Sequence, residues 1–424
     1  MPIPLNAPRE GLPALIQTPS AFDLAIKALG QGSGPIAIDA ERASGYRYSQ
    51  RAYLIQIHRT GGGLHLIDPI AVGTTPQWQE MSDLFADVEW IIHASTQDLP
   101  CLRELGLEPK ILFDTELGGR IAGCERVGLG PLSESLLDIT LAKEHSAVDW
   151  SIRPLPVDWL NYAALDVDVL IDLRDEVEVL LEEQNKLEWA LEDFASIISA
   201  APPAPRKDPW RRTSGIHRIR DRQTLALIKM LWHARDDFAR AIDLSPGRVF
   251  NDEALVNAAQ KRPTTAAELK DLLSKRSRSL ELPIGSWWEN FREILAADPA
   301  TYPESRIPAT GLPPVKVWRE KNPLGFARLS HARAGVIALS HELSIPPENL
   351  ISPEFVRRCC WEEPDLHLSD TQQLSRISDQ LRGLGARTWQ IERVAPIIAS
   401  ALSQSEPLEA PAPLETSENG DLEE

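Results

Sequence analysis

Four cysteines in 424 residues is a sparse supply, and Cys101, Cys124, Cys359 and Cys360 show none of the paired spacings that build a zinc site. Two of them are adjacent, a geometry that seldom closes a disulfide. Neither a structural zinc centre nor a disulfide scaffold is expected, and a reducing cytoplasm is the expected compartment. The chain lacks any uninterrupted apolar run of membrane-spanning length, so no membrane partner is expected. Its start, MPIPLNAPREGLPALIQ, has no basic stretch leading into an apolar core, so no secretory leader is expected either. Positive charge is in deficit: 44 Lys and Arg against 62 Asp and Glu leave a net charge of −18. That balance argues against coating nucleic acid by bulk electrostatics, but it permits a grip built from local basic patches and metal ions.

What is present is patterned. Apolar runs of strand length occur at 35–40 (PIAIDA), 52–59 (AYLIQIHR), 64–68 (LHLID), 90–94 (WIIHA) and 111–115 (ILFDT). The first three form a meander and the last two alternate with helical patterns, which predicts a mixed sheet flanked by helices. The strand at 35–40 is expected at its centre, with 90–94 beside it. A short helix opened by Ser20 precedes the sheet, and a largely unbroken helical pattern runs from Pro156 to Ile198. Proline-rich stretches then divide the chain. The expected organisation is an α/β domain over 1–200, a basic Pro-rich linker over 201–216 and an all-helical module over 217–297. A Pro-rich connector over 298–326 leads to a second helical module over 327–404. An acidic tail without aromatics, 405–424, reads as disordered.

The strand at 35–40 runs into two acids, Asp39 and Glu41, whose side chains share a face because strands alternate. HASTQD (93–98) brings Asp98 to the same sheet edge, although Ser95 and Asp98 also fit a helix capping box. NYAALD (161–166) places Tyr162 and Asp166 four apart on one helical face, with Asp168 and Asp172 nearby as solvated acids. Four converging carboxylates are stable only around cations, and an all-oxygen ligand set suits Mg²⁺ or Mn²⁺. Paired metals of that kind cleave phosphodiesters.

AIDAE, HASTQD and YAALD resemble the three motifs of DEDD 3′-5′ exonucleases, and DWSIRPLPVDWLNYAALDVDVL (149–170) with FDT (113–115) resembles ribonuclease D in particular. The resemblance, over about 33–190, implies a ribonuclease H-like fold. Asn161 and Tyr162 match the branch that uses Tyr four residues before the last Asp. Carried over, Asp39, Glu41 and Asp166 hold one of two divalent ions, Asp39 bridges to the second, Asp98 acts near the second and Tyr162 orients the attacking water. Ala40 departs from relatives that carry a hydroxyl residue there. Residues 219–272 resemble the HRDC domain, and the block at 327–403 resembles a second, degenerate copy. The fold implied is an α/β ribonuclease H-like exonuclease domain followed by all-α HRDC-type helical modules.

Between them, 206–222 holds seven basic residues against two Asp: Arg206, Lys207, Arg211, Arg212, Arg218, Arg220 and Arg222. These are the candidate nucleic-acid contacts, and the segment after Pro205 is expected to supply substrate affinity rather than chemistry. Trp287, Trp288 and Trp361 are stacking candidates whose alternative is the helical core. The implied activity is 3′-5′ exoribonuclease, acting on RNA with a free 3′ end such as tRNA precursors and releasing nucleoside 5′-monophosphates. The competing readings are a DNA 3′-5′ exonuclease and a silent nucleic-acid-binding protein.

Overall fold

The computed structural model describes residues 2–142, 148–202, 204–273, 280–306, 311–364 and 367–408. They fall into two compact units, 1–119 with 124–308, and 120–123 with 309–424. The strands are β1 (Ile3–Leu5), β2 (Leu15–Ile16), β3 (Ile36–Arg42), β4 (Ala52–Arg59), β5 (Gly63–Ile67), β6 (Glu89–Ile92), β7 (Ile111–Asp114) and β8 (Ile139–Leu141). Six of them form one sheet in the order β2-β5-β4-β3-β6-β7, while β1 pairs with β8. β3 runs antiparallel to β4 and parallel to β6, so the first acidic strand sits between the meander and the crossover strands. Its Ile36, Ala37 and Ile38 are fully buried, as helices on both faces require.

Several local expectations change. The first helix, Pro19–Gln31, is capped by Thr18 rather than opened by Ser20, because the Thr18 hydroxyl accepts from Ala21 N and Pro19 fits the first helical position. This helix lies so close to the β4–β5 turn that a Cβ on Gly62 would come within 2.9 Å of Leu29 Cα. The long helical stretch is three helices, Val157–Asp168, Leu170–Glu183 and Leu187–Ser199. The first of these packs across β3, β4 and β5 and carries the third motif. Asp168 is not solvated: it is buried and paired with Arg9 at 3.7 Å, and Asp172 meets the same guanidinium at 2.6 Å.

The linker folds earlier than expected. A short 3₁₀ helix, Pro209–Arg212, buries Trp210 in the core of the first helical module, because an indole of that size is too costly to leave in water. The module then consists of Arg222–Ala241, Pro246–Val249, Asp252–Lys261, Ala266–Leu273 and Ile284–Ala296. In the second unit, helical structure begins at Val315, ahead of the expected 327, and buries Trp318. Trp287 is buried in the core, while half-buried Trp288 stacks on Phe291 and half-buried Trp361 packs edge-on to Trp318, so each candidate stacking residue packs against other aromatic rings of its own module. Of the expected tail, 409–424 lie outside the described residues. Glu406 and Leu408 are tied to the helix Pro323–Leu343 by hydrogen bonds with His331 and Ser330.

Candidate active site

β3 delivers Asp39 and Glu41 to the sheet edge on one face, and the helix Val157–Asp168 lays Asp166 over them. Oxygens of these three carboxylates lie within 4.8 Å of one another. Asp98 stands just outside that group and donates a hydrogen bond to Asp39. Tyr162, one helical turn before Asp166, donates its hydroxyl to that carboxylate. All five line a cleft of about 870 Å³ together with Arg42, Ser44, His93, Gln97 and Arg126.

The electrostatics are those of an uncompensated anionic site. Burial, and then the neighbouring carboxylates, push Glu41 and Asp166 well above the usual carboxylate range. Burial and the Asp39 charge push Asp98 up to about 8. Burial and Asp166 raise the Tyr162 phenol, which keeps it a proton donor. Arg42 approaches Asp98 at 3.8 Å but is one cation beside four acids. An all-carboxylate set held this tightly, with its protons retained for want of positive charge, fits divalent metal binding.

The position of Asp98 has a cause that its own segment does not reveal. Rather than closing a capping box, Ser95 starts a one-turn 3₁₀ helix after Ala94, whose φ is 56°. Both are held by Asp114 at the end of β7. Its buried carboxylate accepts from the backbone N–H of Ala94, Ser95, Glu116 and Leu117 and from the Ser95 hydroxyl. Asp114 is thus a positioning residue, and the only sequence signal for it was FDT at 113–115.

The stretch DWSIRPL is explained likewise. Arg153 makes a two-pronged pair with fully buried Asp68, at 2.6 and 2.8 Å, and donates to the Tyr53 carbonyl at 2.8 Å. Removing Arg153 would strand the buried Asp68 charge at a cost of about 3–5 kcal/mol. The pair fixes the segment whose Val148 lines the cleft.

The basic run divides. Arg211 lies over the Trp210 ring and donates to the Glu304 carbonyl; Arg220 donates to the His217 carbonyl; Arg222 holds the Tyr302 carbonyl and pairs with Glu304. Arg211 and Arg222 tie the module together, and Arg220 makes only local bonds. Arg206, Lys207, Arg212, Arg218 and Arg220 are exposed. No described helix is long and apolar enough to cross a membrane.

Residues 13–182 match the family described as 3′-5′ exonuclease, 224–284 the HRDC domain, and 311–402 the 3′ to 5′ exonuclease C-terminal domain. Ribonuclease D of Shewanella sp. (strain ANA-3) is 29% identical over 58% of this chain, which spans 64% of that enzyme's length. Ribonuclease D of Pseudomonas paraeruginosa is 27% identical over 87% of this chain and 92% of its own. A crystal structure of a protein from Bifidobacterium adolescentis is 35% identical, with a TM-score of 0.85, over 95% of this chain and 100% of that one. Ribonuclease D relatives thus align through the nuclease domain and on into the helical modules, and the chain carries a 3′-5′ exonuclease domain followed by an HRDC domain.

Proposed function

We propose that the chain is a cytoplasmic 3′-5′ exoribonuclease that trims structured RNA such as tRNA precursors and releases nucleoside 5′-monophosphates. The observation that carries this reading is the meeting of the Asp39, Glu41 and Asp166 oxygens within 4.8 Å, with Asp98 hydrogen-bonded beside them. Asp39, Glu41, Asp98 and Asp166 would hold two Mg²⁺ or Mn²⁺ ions, which would supply the charge that activates water and neutralises the leaving oxygen. Tyr162 keeps its proton and orients the attacking water from its place next to Asp166. Arg42 and Arg126, at the cleft wall, offer charge to the phosphates of an entering strand end. Exposed Arg206, Lys207, Arg212 and Arg218 add backbone contacts for the remainder of the RNA.

The test uses 5′-labelled RNA and DNA strands with free or 3′-phosphorylated ends, incubated with Mg²⁺, Mn²⁺ or EDTA. Expected are one-nucleotide ladders from free-ended RNA, nucleoside 5′-monophosphate as product, protection by the 3′ block and arrest by EDTA. Faster digestion of DNA would move the substrate to DNA. No digestion of either strand with either metal would reduce the chain to a binding protein.

A further inference from the structure

The loop between β3 and β4 starts directly after Glu41 and Arg42, and the first helical module holds it along its length. Ser245 N donates to the Tyr46 carbonyl at 3.0 Å, and Arg248 Nε donates to the Gly45 carbonyl at 2.7 Å with its guanidinium 4.0 Å from the centre of the Tyr46 ring. The Tyr48 ring packs on the module's apolar core. Its hydroxyl donates to the Asp236 carboxylate at 3.1 Å and accepts from Arg240 at 3.0 Å. Asp243 then takes the Ser49 backbone N–H at 2.9 Å, the Tyr53 hydroxyl at 3.3 Å and the Arg51 guanidinium at 3.2 Å.

Asp243 occupies a costly position. It follows the helix Arg222–Ala241 with φ at 48°, and the Leu244 N–H returns to the Ala239 carbonyl, the helix closure that glycine makes with least strain. A residue with a Cβ is disfavoured there. What Asp adds over Gly is the carboxylate, and its bonds to Ser49, Tyr53 and Arg51 all reach into the nuclease domain.

The far side of the loop reaches the cleft. Arg42 and Ser44 line it, and the β3–β4 register slips between Glu41 and Arg42, so the strand is irregular just where the acids end. Arg47 Nε donates to Ser151 Oγ at 2.7 Å, joining the loop to the segment whose Val148 also lines the cleft.

We propose that the first helical module sets the geometry of the cleft by holding this loop, which makes Tyr48, Asp243 and Arg248 positioning residues for hydrolysis. The module is thereby more than a grip for RNA. The inference rests on the cleft being the exonuclease site, and Asp39→Asn tests that reading separately, since it removes the chemistry and leaves the loop untouched.

The test compares full-length Asp243→Gly, Asp243→Asn and Tyr48→Phe with the parent. Readouts are hydrolysis of a trinucleotide and of a long RNA, thermal unfolding, and hydrogen exchange at the Ser49 amide. Asp243→Gly relieves the backbone, so its melting temperature should not fall. Its Ser49 amide should exchange faster, and kcat on the trinucleotide should drop about tenfold while KM for the long RNA stays within about twofold, as small misplacements cost rate rather than binding. Asp243→Asn keeps an oxygen for Ser49 N–H and should recover most of the rate. Unchanged kcat on the trinucleotide, or a loss confined to KM for long RNA, overturns the proposal. If Asp243→Gly does not fold, Tyr48→Phe is judged by the same kinetic criterion.

Discussion

The helices Arg222–Ala241 and Pro323–Leu343 each end at a left-handed residue three positions before the proline that opens a four-residue helix: Asp243 before Pro246, and Ser344 before Pro347. The same backbone closure follows in both, Leu244 N to the Ala239 carbonyl and Ile345 N to the Ser340 carbonyl. Three further helices come next in each: Asp252–Lys261, Ala266–Leu273 and Ile284–Ala296, against Pro353–Trp361, Asp370–Leu384 and Thr388–Ala401. The two modules therefore share one plan and differ in what it carries. Where the first has Asp236, Arg240, Asp243 and Arg248, the same spacing in the second gives Ile337, His341, Ser344 and Asn349, with no carboxylate among them. Helix closure and proline turns set the fold, while a few side chains on top of it set what the fold holds.

Removing chemistry separates both modules from the acids. Tyr162→Phe should lower kcat on any RNA about a hundredfold, because an oriented proton donor is lost. Its metal titration midpoint should stay near that of the parent, whereas Asp166→Asn should move it. Equal shifts would make Tyr162 a ligand. The comparison itself is sharpened by one replacement made twice: Asp243→Gly costs about tenfold on a trinucleotide, and Ser344→Gly costs nothing measurable. Equal losses would break the contrast between the modules.

A smaller effect concerns affinity. Replacing Arg206, Lys207, Arg212 and Arg218 by Gln should flatten the salt dependence of binding to single-stranded RNA by up to about 0.7 in log-log slope for each phosphate no longer neutralised. An unchanged slope would remove this run from the RNA path.

The smallest effect is in stability against pH. In metal-free protein, Asp98 titrates at about 8 and Glu41 and Asp166 lie well above the usual range, chiefly through burial. The native chain then binds more protons than the unfolded chain between about pH 4 and pH 8, so the stability from these groups is lost as pH rises through that window. Melting temperature in EDTA should decline toward pH 8, and Mg²⁺ should remove most of the decline. A flat profile in EDTA would mean the acids are not held together.

Much of this was legible in advance because burial on both faces writes strands as apolar runs: 52–59 is β4, and the strand ending at Asp39 and Glu41 is central as expected. The converging acids could be read because strand alternation and the helical turn fix faces from spacing alone. What could not be read were partners distant in sequence. Asp168 looked solvated because Arg9 lies 159 positions away, whereas Asp172 does keep about half of its side chain in solvent. Trp210 looked like linker because its pocket belongs to helices that follow it. The hold on the β3–β4 loop left no mark in the sequence because Asp243 is 194 positions from Ser49. Charge and spacing say which groups are available, and tertiary pairing decides which are spent.

The most direct test follows Mn²⁺ binding and RNA hydrolysis together in full-length parent, Asp39→Asn and Asp166→Asn proteins, each checked for an unchanged melting profile. The expected result is that both variants lose tight Mn²⁺ binding and nearly all hydrolysis, on the order of a thousandfold or more, while RNA binding persists. Folded Asp39→Asn protein that turns over RNA at the parent rate would contradict the assignment of the four acids as the metal site of a 3′-5′ exoribonuclease.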